Sequence, residues 1–160
     1  MTDPDPNVIK QILSELRDTN KERRRTAVMK LGMLGGDEAV RTLIMIIGNS
    51  YEDLIVRGRA ALMLGKLGDT RAVEPLIRAL DTPGFQTTLN AVQALGMLGD
   101  PRAIQPLKRF LNTDHEKYRE AAQAALTKLG YSAESNGDAS AEDGDDIEPE
   151  RVPIRRTRDF

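Results

Sequence analysis

Cysteine is absent from the 160 residues, and histidine occurs once, as His115. The first absence removes disulfides, thiolate zinc sites and a thiol nucleophile together. The second leaves little from which to build a His-ligated metal centre or a catalytic triad. Long apolar runs are missing too. Residues 43–47 (LIMII) make only five in a row, far short of the roughly 20 that cross a bilayer, so no membrane span is expected. The opening MTDPDP is acidic where a secretory signal is basic and then apolar, and a soluble cytoplasmic protein is the default expectation. Nor is there an excess of positive charge. Residues 1–130 carry 19 Lys and Arg against 16 Asp and Glu, a formal +3, while residues 131–160 carry 4 against 9, a formal −5. Neither part has the basic bias that binding to a phosphate backbone requires, so nucleic acid is not an expected partner.

What the chain does have is repetition. The phrase Leu-Gly-x-Leu-Gly stands at residues 31–35, 64–68 and 95–99, and again at 126–130 with Thr127 in place of the first glycine. The last glycines of the four phrases, Gly35, Gly68, Gly99 and Gly130, are 33, 31 and 31 residues apart. A fixed period in this range marks a stack of supersecondary units. Each unit reads as an antiparallel helix pair. Asp5-Pro6 opens the first helix, with Ile9, Ile12, Leu13 and Leu16 on one stripe. Later first helices fall near 38–47, 70–80 and 101–111, and the second helices near 21–34, 52–67, 84–98 and 115–129. The four repeats then span about 7–35, 37–68, 69–99 and 100–130.

The turns are spelled consistently. Within pairs, Thr19-x-x-Glu22, Ser50-x-x-Asp53 and Thr113-x-x-Glu116 have the spacing of a capping box, and the third pair uses Thr82 before Pro83. Between pairs, glycine ends a helix and Asp37, Asp69 or Asp100 caps the next. Gly32, Gly65 and Gly96 recur inside second helices, where each costs about 1 kcal/mol against alanine, so close approach of a neighbouring helix is expected there. Pro75 and Pro106 recur inside first helices and predict a bend in each.

Residues 56–76 (VRGRAALMLGKLGDTRAVEPL), echoed by 100–107 (DPRAIQPL), resemble the HEAT-like repeat of the phycobilisome-lyase type. The resemblance covers about residues 7–130. It implies an all-α, right-handed α-solenoid of four two-helix repeats, with first helices on the convex side and second helices lining the concave side. It further implies a structural ladder in which an arginine early in the second helix pairs with an inter-repeat aspartate. The matching positions are Arg24, Arg57 and Arg119 with Asp37, Asp69 and Asp100; Thr88 stands where the third repeat's arginine would be, which would weaken one rung.

Counting from the leucine of each phrase, positions six before, two before and two after form one row, usually polar in that family. Here the row reads Arg25, Met29, Met33; Gly58, Leu62, Lys66; Leu89, Gln93, Met97; and Glu120, Ala124, Lys128. Apolar side chains where charge is expected point to a protein-binding face on the concave side, with methionine supplying adaptability. A register slip of one residue would instead make the same side chains core. Met45, where later repeats have Arg78 and Arg109, reads as deeper packing, with a convex contact or a homodimer face as the alternative.

Other candidates are weaker. The cluster at residues 21–25 (KERRR) is a solvated helix start with no continuation in later repeats. His115-Glu116 is similar to the His-Glu pairs by which a HEAT-repeat iron hydroxylase holds its metals, but such a site needs several pairs and this chain has one. With no phosphate-binding glycine loop and no convergent carboxylates, neither a cofactor nor a catalytic site is expected. Residues 133–150 contain eight acids and no base, a composition that favours disorder. They lead into RVPIRRTRDF at 151–160, where Val152, Ile154, Arg155, Arg156 and Phe160 form a candidate linear motif that binds in trans or folds back on the concave face. The expectation is a non-catalytic adaptor or assembly factor with a protein partner. The alternative, implied by the resemblance, is a lyase or lyase subunit that attaches or detaches bilins on phycobiliproteins.

Overall fold

The computed structural model describes residues 4–132; the acidic stretch and the motif at 151–160 lie outside them. Eight α-helices and three short 3-10 segments alternate as four antiparallel pairs, with no strand among the described residues. The pairs are α1 (Pro6–Glu15) with α2 (Lys21–Leu34), and α3 (Asp37–Gly48) with α4 (Leu54–Leu67). They continue as α5 (Val73–Ala79) with α6 (Phe85–Leu98), and α7 (Ile104–Lys108) with α8 (Glu116–Lys128). The result is an α-solenoid of two-helix repeats in which α2, α4, α6 and α8 stack in order.

Two rows of leucine form its spine. Leu31, Leu64 and Leu95 are fully buried on the second helices, with Leu126 nearly so, and Leu43, Leu76 and Leu107 are fully buried on the first helices. Each contributes about 1.5–3 kcal/mol by leaving water. The glycine ending each phrase takes a positive φ, between 68° and 75°, which stops the second helix and releases the chain into the next pair.

The recurrent mid-helix glycines meet the next second helix. A Cβ on Gly65 would lie 2.6 Å from Ala94 Cα, and one on Gly96 would lie 2.8 Å from Ala125 Cα. Only glycine admits backbones that close. At Gly32 the facing group is the Met63 side chain instead. Equivalent positions at the two ends turn polar. Lys30 occupies the place of Met63, Ala94 and Ala125, and Thr127 that of the three glycines; both are exposed.

The prolines produce a break in helix type. Thr70–Ala72 and Pro101–Ala103 are 3-10 turns that lead into α5 and α7, and Pro75 and Pro106 are the third residues of those helices. A first-turn residue has no N–H partner within its helix, so proline sacrifices little there.

The expected hydroxyl capping boxes do not form. α2 is capped by Asn20, whose side chain accepts from the Glu22 amide, and α4 by Asp53, which accepts from the Ile55 and Val56 amides. His115 caps α8 without a side-chain bond, Thr113 Oγ1 merely accepting from the His115 amide at 3.4 Å. In the first two turns a carboxylate or amide oxygen lies nearer the helix start than the hydroxyl and takes its place. Asp5, Asp69 and Asp100 cap as expected, whereas Asp37 is the first residue of α3 after Gly36.

Candidate binding face

Residues four apart on a helix are 400° apart, so a row counted in fours drifts 40° per step. The row six before, two before and two after the phrase leucine therefore starts in the seam between helices and ends in solvent. Arg25 and Gly58 are buried and Leu89 is half-buried, whereas Glu120 and Ala124 of the fourth repeat are exposed. Met29 and Leu62 pack partly against the core. Gln93 and Lys66 are exposed, Met97 is 42% exposed and Met33 is 84% exposed. The position nine before the leucine completes the outward line: Glu22, Ile55, Gln86 and Lys117 are all exposed. The counting in fours missed Ile55 (44% exposed) and Lys117, both of which a 3-4 alternation would have found. The second helices thus present Met33, Lys66, Met97 and Lys128 as successive outward residues near their C-terminal ends.

Arg25, the first residue of the row, turns into the seam instead. Its guanidinium donates to Asp53 Oδ1 at 3.0 and 3.1 Å and to Glu22. Asp53 thereby caps α4 and ties repeat 1 to repeat 2 with one carboxylate. Partial burial would raise its pKa, but the Arg25 bonds and the Val56 and Ile55 amides outweigh this and hold it below the usual value.

The arginine–aspartate ladder is also corrected. Arg24 donates to the carbonyls of Asp18 and Thr19 and to Glu52; Arg57 to the Ile47 carbonyl and Thr82 Oγ1; Arg119 to the Thr113 carbonyl. Each closes the turn within its own repeat through a carbonyl, and Arg24 and Arg57 also reach the next repeat through Glu52 and Thr82. Thr88 does the same with a shorter reach, its hydroxyl donating to the Thr82 carbonyl at 3.2 Å, so the third repeat has its rung. Burial lowers the pKa of Arg57. The aspartates serve a separate outer ladder. Arg71 bridges Asp69 and Asp37, and Arg102 bridges Asp100 and Glu74. The arginine side-chain bonds hold Asp69 and Asp100 below the usual carboxylate range. The Asp-x-Arg spacing of Asp69/Arg71 and Asp100/Arg102 was visible in the sequence.

Met45 is not deeply packed. It is 71% exposed and lines an outer cleft with Leu13, Leu16 and Ile46. His115 stacks on Phe85 with ring centroids 4.6 Å apart and touches Tyr118. Among the described residues no group of three or more His, Asp or Glu is placed to hold a metal ion, and no helix is long and apolar enough to cross a membrane. Val152, Ile154, Arg155, Arg156 and Phe160 lie outside the described residues.

No curated protein matches the chain by sequence. Among solved structures it is similar to the complex of CpcE and CpcF of phycocyanin lyase from Nostoc sp. PCC7120, with 28% identity and a TM-score of 0.67 over 76% of this chain and 53% of that one. It is also similar in fold to human deoxyhypusine hydroxylase in complex with glycerol, at 24% identity and a TM-score of 0.66 over 84% of this chain and 48% of that one. The chain thus spans about half the length of either structure. The sequence pattern of HEAT repeats matches residues 7–88 and 52–127, which together take in all four helix pairs described above. The protein belongs to the HEAT-repeat family.

Proposed function

We propose that the protein is a non-catalytic adaptor or assembly factor, acting in the cytoplasm, that takes a segment of a partner protein on the outward face of its second helices. The observation that carries this reading is the exposure of Met33 and Met97 on a face where both neighbouring residues of the row, Lys66 and Lys128, are charged and exposed. Flexible thioethers between cations suit a partner of mixed apolar and acidic character. Leu62, Leu89 and Met29 form the half-buried floor, and Gln93 adds a polar contact.

The test is parallel co-purification from host lysate of the wild type and the double variant Met33→Glu/Met97→Glu. A stoichiometric partner held by the wild type and lost by the variant, with unchanged melting, supports the reading. Equal retention by both, or an unfolded variant, overturns it.

A second reading, a subunit of a bilin lyase, is favoured by the similarity to the phycocyanin lyase complex. The visible spectrum of the same eluate discriminates: a bound pigment or a retained phycobiliprotein puts this reading first.

A further inference from the structure

On the outer side, repeat 2 departs from the other three. The place of Met45 in α3 is taken by Ser14 in α1, Arg78 in α5 and Arg109 after α7, all exposed. A polar side chain therefore serves the fold there, yet Met45 stands out into solvent. It borders a cleft of about 520 Å³, open where α3 packs on α5 and stands off from α1. Leu13, Leu16 and Ile46 supply the apolar lining, with Thr42 and Asn49 as neutral polar groups.

The charged lining is two of each sign. Arg41 is met by Asp37 and Glu52 by Arg24. Arg17 and Glu38 make no ion pair among the described residues. Unpaired charges occur on other faces too. What sets these two apart is that opposite signs stand at opposite ends of one apolar cleft. α1 and α3 hold the same place in successive repeats, so Arg17, just past the end of α1, is level with the C-terminal end of α3. Glu38, in the first turn of α3, is about 15 Å away along the helix. A lining with no net charge favours neither an acidic nor a basic partner. It does match a second copy of itself.

We propose that this cleft is the contact of a symmetric homodimer. A two-fold axis through its middle lays α3 of a second copy antiparallel over it. Glu38 of each copy then stands beside Arg17 of the other, and the two Met45 side chains sit over the apolar lining. Every contact occurs twice. A single cleft is small beside the interfaces of permanent dimers, so the association is weak and follows concentration. The surface is separate from the second-helix face and leaves that face open.

Sedimentation of the full chain at low salt, between about 10 µM and about 1 mM, reads the association directly. The weight-average mass is expected to rise with concentration towards that of two chains. Met45→Arg, the residue at the matching place in repeats 3 and 4, is expected to abolish the rise with unchanged melting. Arg17→Glu and Glu38→Arg each set like charges together twice, and each is expected to weaken association about tenfold. Combined, they restore opposite signs, and association returns to near its wild-type strength. A monomer throughout the range, a rise that survives Met45→Arg, or a double reversal no stronger than the single ones overturns the proposal. So does loss of the rise in Met33→Glu/Met97→Glu, which would put the contact on the second-helix face. Should Met45→Arg unfold, the charge reversals alone decide.

Discussion

The seam between repeats 1 and 2 and the seam between repeats 2 and 3 start from the same glycine and solve the contact differently. At Gly65 the next helix arrives as backbone, with Ala94 against it, and the seam is fastened by Thr87 donating to the Leu54 carbonyl and Asn90 to the Gly58 carbonyl, both at 2.9 Å. At Gly32 a methionine side chain fills the gap, and the seam is fastened by the ion pairs of Arg25 with Asp53 and Arg24 with Glu52. One seam is held at its centre by neutral groups, although Arg57 on Thr82 and Arg71 on Asp37 also cross it. The other is adaptable and charged. A repeat motif thus specifies where helices meet without specifying what holds them.

The sharpest way to separate the seams is to add one methyl group to each. Gly65→Ala puts a Cβ into backbone that cannot retreat, and a loss of about 3 kcal/mol is expected from overpacking, net of the helix-propensity gain. Gly32→Ala would put its Cβ against Met63 Cγ and Sδ, which a rotamer change can clear, but also 2.6 Å from Met63 Cβ, which moves only with the backbone, so a loss of about 2 kcal/mol, smaller than at Gly65, is expected. Urea midpoints measure both; equal losses would erase the distinction.

Removing the fastenings comes next in size. Asp53→Ala deletes a cap and leaves the buried Arg25 guanidinium with Glu22 alone, for about 2 kcal/mol. Asn90→Ala removes the side-chain bond to the Gly58 carbonyl and one link across the seam, for about 1 kcal/mol. Combined with Gly65→Ala, Asp53→Ala should be nearly additive, since the two act on different seams. Thermal unfolding of the double variant checks this.

Acid should act on the charged seam. The folded pKa of Asp53 lies below its unfolded value, so its contribution is complete above the unfolded carboxylate pKa of about 3.9 and is lost as pH falls through the lower folded value. Wild-type stability is expected to decline below about pH 4 more steeply than that of Asp53→Ala. Parallel slopes would mean other carboxylates dominate. The smallest effect expected is on the outward face. Met33→Glu/Met97→Glu should move stability by no more than about 0.5 kcal/mol while changing what the protein binds.

Much of this was legible in the chain because it is governed by local rules that repeat. The Leu-Gly phrase fixed the period, the end of every second helix and the positions of close approach. Contacts depending on distance in space were less readable. Thr19 and Ser50 lost their capping role to oxygens one and three residues later, and Thr113 lost its role with no side-chain oxygen in its place, which no spacing rule decides in advance. Arg24, Arg57 and Arg119 found carbonyls in their own turns rather than the aspartates of the next repeat, because a guanidinium takes whichever oxygen its stem can reach. Arg25 went inward because a row counted in fours slides off a helix face, and the same drift hid Ile55 and Lys117.

Met63 has a mechanical consequence. A stack whose units touch only their neighbours behaves as a coil spring, and its stiffness is set seam by seam. Where alanine backbone lies against Gly65 and Gly96 the turns are locked, since any sliding drives atoms together. Where Met63 lies against Gly32, its Cγ and Sδ can rotate away from a shift and only its Cβ resists. Flexing of the coil is therefore expected to concentrate between the first and second turns, which changes the separation of Met33 from Lys66 while leaving that of Lys66, Met97 and Lys128 fixed.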